Sequence, residues 1–137
     1  MAALIVDRRA RTIAGLAVPY GPVAVHRGRR WRYAPGCLVG DWRAVPLLLD
    51  HVQALRVGRA AVLDDTPAGL WSVFRVDRGR RGDRALALAA DGVFGLSAGV
   101  DVVSAGPDPV VRAVRLVGRA LLLEISLTRD PAFEEPR

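Results

Sequence analysis

Along the chain, short apolar runs punctuated by glycine, proline and aspartate recur more often than helical periodicity does. Thr12 to Val18 alternates loosely and is stopped by Pro19 and the Gly21-Pro22 turn, which predicts a first strand. Trp31-Arg32-Tyr33 predicts a short aromatic strand, and Ala34 to Gly40 one helical turn or a tight loop between Gly36 and Gly40. Val45 to Leu49 is a dense apolar run ending in Asp50-His51, the pattern of a strand buried on both faces. Ala54 to Leu63 and Leu70 to Val76, joined across Asp64–Gly69, predict a hairpin. Val100–Val103, Val110–Val117 and Arg119–Thr128 predict three more strands, with Ala105–Pro109 as a turn. Helical character is confined to one stretch. Asp83 is placed as an N-cap, Ala85 to Ala90 has high helix propensity, and Gly92 closes it. The expected architecture is mainly β (α+β): a small closed or nearly closed antiparallel β-barrel of about seven strands with one or two short helices.

Composition narrows the class. A chain of 137 residues with 51% hydrophobic residues is expected to form a single domain over 1–137 with one core. Apolar stretches such as Val45–Leu49 and Ala120–Leu123 are far too short to span a membrane, and Met1 to Asp7 lacks the basic segment of a signal peptide. A single cysteine, Cys37, excludes an internal disulfide and a thiolate metal cluster, and no metal or cofactor is expected. The net charge is +6, and all 20 basic side chains are arginine. They cluster as Arg8, Arg9 and Arg11, then Arg27, Arg29, Arg30 and Arg32, then Arg78, Arg80, Arg81 and Arg84. Beside glycines and acids these read as solvated loops that can also meet acidic protein or phosphate, with nucleic acid not expected as a specific ligand.

Candidate chemistry centres on Asp91-Gly92-Val93-Phe94-Gly95-Leu96-Ser97-Ala98-Gly99-Val100, where a serine sits among small residues that let a substrate backbone come close. A serine hydroxyl needs a base to take its proton, and the base needs a third group to hold its tautomer. Of the two histidines, His26 lies in an arginine-rich loop and His51 ends a buried strand, the better platform. Glu124, embedded in Leu-Leu-Leu-Glu-Ile-Ser-Leu, is the candidate orienting acid; a carboxylate there either faces solvent by alternation or is held for a purpose. Oxyanion stabilisation would come from backbone N–H groups around Ala98 and Gly99, or from Arg129. Cys37 has no basic or histidine neighbour in sequence and reads as a small apolar filler.

Five blocks in order resemble the prohead proteases of tailed phages, capsid maturation serine proteases distantly similar to herpesvirus assemblins. Ile13 to Val18 with Pro19-Tyr20 resembles the family's opening strand, and Tyr33-Ala34-Pro35-Gly36-Cys37-Leu38 its Pro-Gly-Ala-Phe segment. Val45 to His51 followed by Val57-Gly58-Arg59 resembles its apolar run, histidine and Ile-Gly-Arg. Asp91 to Val100 resembles its Gly-Leu-Ser-hydrophobic-Gly-Phe block, and Leu123-Glu124-Ile125-Ser126-Leu127 with Pro131-Ala132 its closing block. Cys37 and Val100 stand where bulkier or aromatic residues are usual. Family members commonly carry residues beyond the closing block, whereas this chain stops at Arg137.

The resemblance implies a herpesvirus-protease-like fold and a serine endopeptidase with Ser97 as nucleophile, His51 as general base and Glu124 orienting the histidine. It implies a substrate in the scaffold protein or the scaffold-like arm of the major capsid protein, self-association as a possibility, and a place inside the immature capsid in the host bacterial cytoplasm. The alternative is a non-catalytic β-barrel that binds scaffold during shell assembly.

Overall fold

A computed structural model describes residues 4–131; the Pro131-Ala132 pair lies partly outside them, at Ala132, as do Met1 to Ala3 of the start. Of the described residues 59% lie in strands, and the protein is mainly β with one helix. The strands are β1 (Ile5–Asp7), β2 (Thr12–Pro19), β3 (Val23–His26), β4 (Arg29–Tyr33), β5 (Leu38–Val39), β6 (Pro46–Leu49), β7 (Val52–Thr66), β8 (Gly69–Val76), β9 (Gly95–Pro107) and β10 (Arg115–Thr128). A single 3₁₀ turn covers Trp42–Ala44, and the helix α1 covers Arg80–Ala90. No helix among the described residues is long and apolar enough to cross a membrane.

These strands form one ten-stranded sheet that runs β1-β2-β8-β7-β6-β10-β4-β3, with β5 and β9 also on β10. The expected closed or nearly closed antiparallel barrel of about seven strands is therefore corrected on three counts: number, closure and direction. The hydrogen-bonded path does not return on itself, and β10 pairs in parallel with β4, β5 and β6. Those three short segments lie end to end along one side of β10. Leu116 faces Arg32, Ala120 faces Leu38, and Ser126 faces Leu48. The antiparallel β9 covers the other side of β10 over its whole length.

The end of β10 that lies between β6 and β9 is continuously buried from Glu124 to Thr128, as a strand covered on both faces is. Outside that stretch the alternation holds. Leu70, Ser72, Phe74 and Val76 of β8 point inward, as do Ile13 and Ala17 of β2. Leu47, Val57, Val117, Ile125 and Leu127 complete the fully buried centre of the core, and Cys37 packs into it at 2% exposure.

Element boundaries differ from the sequence reading for local reasons. The expected strands Val110–Val117 and Arg119–Thr128 are one strand, β10, whose alternation is broken by register shifts on both sides of Arg119. Val110–Val114 is a turn instead, pinned by the Asp108 carboxylate, which accepts from the N–H groups of Val110 and Val111 at 2.8 and 2.9 Å. The helix starts at Arg80 with Gly79 as its cap, so Asp83 sits in the first turn. There Asp83 pairs with Arg11 at 2.8 Å. Gly82 lets that turn press against the Asp77 carbonyl, where any side chain would overlap. Gly92, with φ +83°, closes the helix as expected.

Candidate active site

His51 reaches its position through an unusual corner. The β6–β7 hairpin closes with Leu49 opposite Val52, leaving Asp50-His51 as a two-residue loop. Both loop residues have positive φ, 49° and 60°, the mark of a type I′ turn. Asn-Gly is the usual occupant, because left-handed backbone costs about 1–2 kcal/mol for residues that carry a side chain. Two bonds to β10 hold the corner in place: Asp50 N–H donates to the Leu127 carbonyl at 3.2 Å, and His51 N–H to Ser126 Oγ at 2.9 Å. The imidazole is thereby turned toward β10, not left trailing at a strand end.

The face it meets is set by strand register. In the antiparallel pair β9–β10, Ser97 lies opposite Ser126 and Gly99 opposite Glu124. Directly opposed residues share a face, so these four form a square on one side of the ribbon. Glu124 is 5% exposed. Its carboxylate is fully engaged: Oε1 is hydrogen-bonded to His51 Nδ1, and Oε2 accepts from the Ser126 hydroxyl at 3.0 Å. Gly99 makes room for this, since a methyl group on its Cα would overlap the Glu124 carboxylate. Between the two possibilities raised by its sequence setting, Glu124 is held, not solvated.

Ser97, His51 and Glu124 line one pocket of about 330 Å³. Its other walls are Ala98, Gly99, Val100 and Val102 of β9 and Ala24, His26, Trp31 and Tyr33 of the β3–β4 hairpin. Ser97 is 4% exposed, and its hydroxyl forms no hydrogen bond with another described residue, including His51. With Nδ1 bonded to Glu124, Nε2 is the ring nitrogen left for a partner. The His51 side chain is 41% exposed, so that nitrogen belongs to the solvent-facing half of the pair.

Other candidates separate cleanly. Ala98 and Gly99 line the pocket, whereas the Arg129 guanidinium stands 5.7 Å over the Phe94 ring and is not part of its wall. Cys37 is buried, and burial first, then the charge of Asp65, pushes its thiol up to about 11. A thiol with that pKa is protonated at neutral pH, as a filler would be. Among the described residues no group of three His, Cys, Asp or Glu side chains is placed to hold a metal ion. Two residues escaped the sequence reading. Ser126 bonds both the histidine backbone and the glutamate, and its signal was visible as a polar residue in the otherwise apolar Leu-Leu-Leu-Glu-Ile-Ser-Leu. His26 lines the same pocket although its arginine-rich loop argued against it.

Compared with protein-family models, with curated proteins and with solved structures, the chain matches none.

Proposed function

We propose that this chain is a serine endopeptidase of the capsid maturation type, cutting scaffold protein or the scaffold-like arm of the major capsid protein within the immature shell. One observation carries the peptidase half of the reading: a buried carboxylate fixes one nitrogen of an imidazole whose pocket also holds a serine hydroxyl. The capsid half rests on the resemblance of the five sequence blocks.

The chemistry follows from those roles. His51 Nε2 takes the Ser97 hydroxyl proton while Oγ attacks the scissile carbonyl carbon and its π electrons move to oxygen. Glu124 accepts the Nδ1–H, holds the ring in that tautomer and stabilises the imidazolium. Backbone N–H groups around Ala98 and Gly99 are the candidates for the developing oxyanion. When the tetrahedral adduct collapses, the C–N bond breaks and His51 returns its proton to the leaving amine. Water then repeats the cycle on the acyl-enzyme. The Ser97–His51 bond is absent from the free protein; bonds of this kind commonly tighten only once substrate is bound. The pocket walls of Trp31, Tyr33, Val100 and Val102 suit an apolar side chain of the peptide.

The test is processing of the scaffold or capsid substrate in an assembly reaction. Ser97→Ala is expected to lower cleavage by about 10⁴-fold or more, and His51→Ala comparably, because members of such a unit fail together. Undiminished processing by Ser97→Ala would remove the nucleophile assignment and leave the non-catalytic assembly role.

A further inference from the structure

The three arginine clusters visible in the sequence are not the grouping that the fold makes. Pairing of β7 with β8 brings Arg56, Arg59 and Arg75 together with Arg11, just before β2, and Arg78, just after β8, around one open concavity of about 440 Å³ whose wall also holds Asp77. Arg59 and Arg75 are directly opposed across β7 and β8. Opposed residues on adjacent strands stand about 5 Å apart at Cβ, and like charges placed there are destabilising. Phe74 and Val76 point inward on either side of Arg75, so the guanidinium has no choice but the outer face.

Little inside the protein answers these charges. Arg11 Nη1 pairs with Asp83 and its Nη2 donates to the Asp77 carbonyl, yet its Nε is buried with no partner. Among the described residues Arg56 makes only a long Nε bond to the Gly58 carbonyl at 3.4 Å. No described carboxylate pairs with Arg59, Arg75 or Arg78. A concentration of unanswered, fork-shaped donors is the chemistry of an anion site, and guanidinium matches phosphate oxygens two at a time.

We propose that this concavity over β7 and β8 is a binding site for a phosphate-rich polyanion, independent of the serine site. Two features favour phosphate over an acidic peptide. Where the arginines stand both strands are paired on both sides, Arg59 with Pro46 and Arg75, and Arg75 with Arg59 and Thr12, so the concavity offers no free edge on which a peptide backbone could add as a strand. The wall offers guanidinium donors and little apolar surface to hold peptide side chains. Among the described residues no aromatic ring lines it either, so a nucleic acid would be held by its backbone and not by stacked bases. The ligand chemistry is a run of linked phosphoryl groups, whether free polyphosphate or a nucleic-acid backbone.

Binding of inorganic tripolyphosphate, of a random-sequence DNA duplex and of poly-glutamate to the full chain tests this. Arg59→Ser with Arg75→Ser is compared with Arg29→Ser plus Arg112→Ser, which removes the same charge from other elements. Expected is binding of at least one phosphate probe, weakened about tenfold or more in the first pair and little changed in the second. For DNA, the slope of log affinity against log salt becomes shallower by about 1–2 units, as two phosphate contacts are lost. Binding of tripolyphosphate but not DNA would assign free polyphosphate; binding of both would assign backbone recognition. Arg78→Ser, in the loop beyond β8, gives a milder loss of about threefold and does not touch the sheet. Equal weakening by both double variants, no binding of either phosphate probe, or poly-glutamate binding as tightly as DNA would each overturn the proposal.

Discussion

The serine pocket and the arginine concavity use opposite devices to hold polar groups on the same sheet. Both carboxylate oxygens of Glu124 are answered from inside the protein, one by His51 and the other by Ser126, with Gly99 cleared out of the way beneath. Around Arg75 the polar atoms are exposed, alike in sign and largely unanswered. A buried charge must be paired within the fold because the penalty for leaving it bare is several kcal/mol. An exposed guanidinium carries no such requirement, so water suffices until a ligand arrives. Internal satisfaction fixes geometry for chemistry; external insufficiency leaves affinity for something outside.

That contrast can be broken at its tightest point by Gly99→Ala. A methyl group there displaces the Glu124 carboxylate and the imidazole with it, and misplacement of about 1 Å is enough to cost about 10²-fold in rate. Peptide cleavage is expected to fall by at least that factor while tripolyphosphate binding stays unchanged. Loss of both together would mean that the two regions are not separable. Ser126→Ala is a smaller insult. It leaves one carboxylate oxygen and the His51 backbone N–H unpartnered, so unfolding free energy should drop by about 1–3 kcal/mol. Cleavage should drop about tenfold, and the downfield proton resonance of His51 Nδ1–H should shift or broaden; an unmoved resonance would show that Ser126 does not orient the pair. Smallest of all, Arg75→Glu turns the opposed pair with Arg59 from repulsive to attractive. Chemical denaturation should show a gain of about 0.2–1 kcal/mol at low salt that fades as salt rises. A loss of stability would mean that the opposed arginines are already compensated.

Much of the sheet was legible in the chain, from alternation where a strand has one wet face and from apolar density in Val45–Leu49. Thr12 to Val18, Leu70 to Val76 and the Val45–Leu49 run all appear as strands within a residue or two of their expected limits. What escaped is either too short to show a period, as with Val23–His26 and Leu38–Val39, or bulged, as with β10 around Arg119. The count of about seven strands and the barrel closure were errors of that kind. Parallel pairing of β4, β5 and β6 with one long strand leaves no local trace at all, since nothing in Trp31 to Leu49 depends on Arg115 to Leu127 until the chain is folded.

For the candidate site, residue types were readable and relations were not. Ser97, His51 and Glu124 stood out as polar residues in apolar settings, because burying such groups is costly enough to be rare. Ser126 had no role legible in the sequence, since a hydroxyl becomes significant only through the partners it meets. Composition likewise determined that the protein is basic and that its basic side chains are all guanidinium. Only the register of β7 against β8 decided that Arg59 and Arg75, 16 positions apart, stand opposed. Only the backbone at Asp50-His51 decided which way the imidazole faces. Sequence carries the free-energy preference of each side chain for water or for the interior; which groups then meet is set by hydrogen-bond register, a property of the pair of strands and of neither alone.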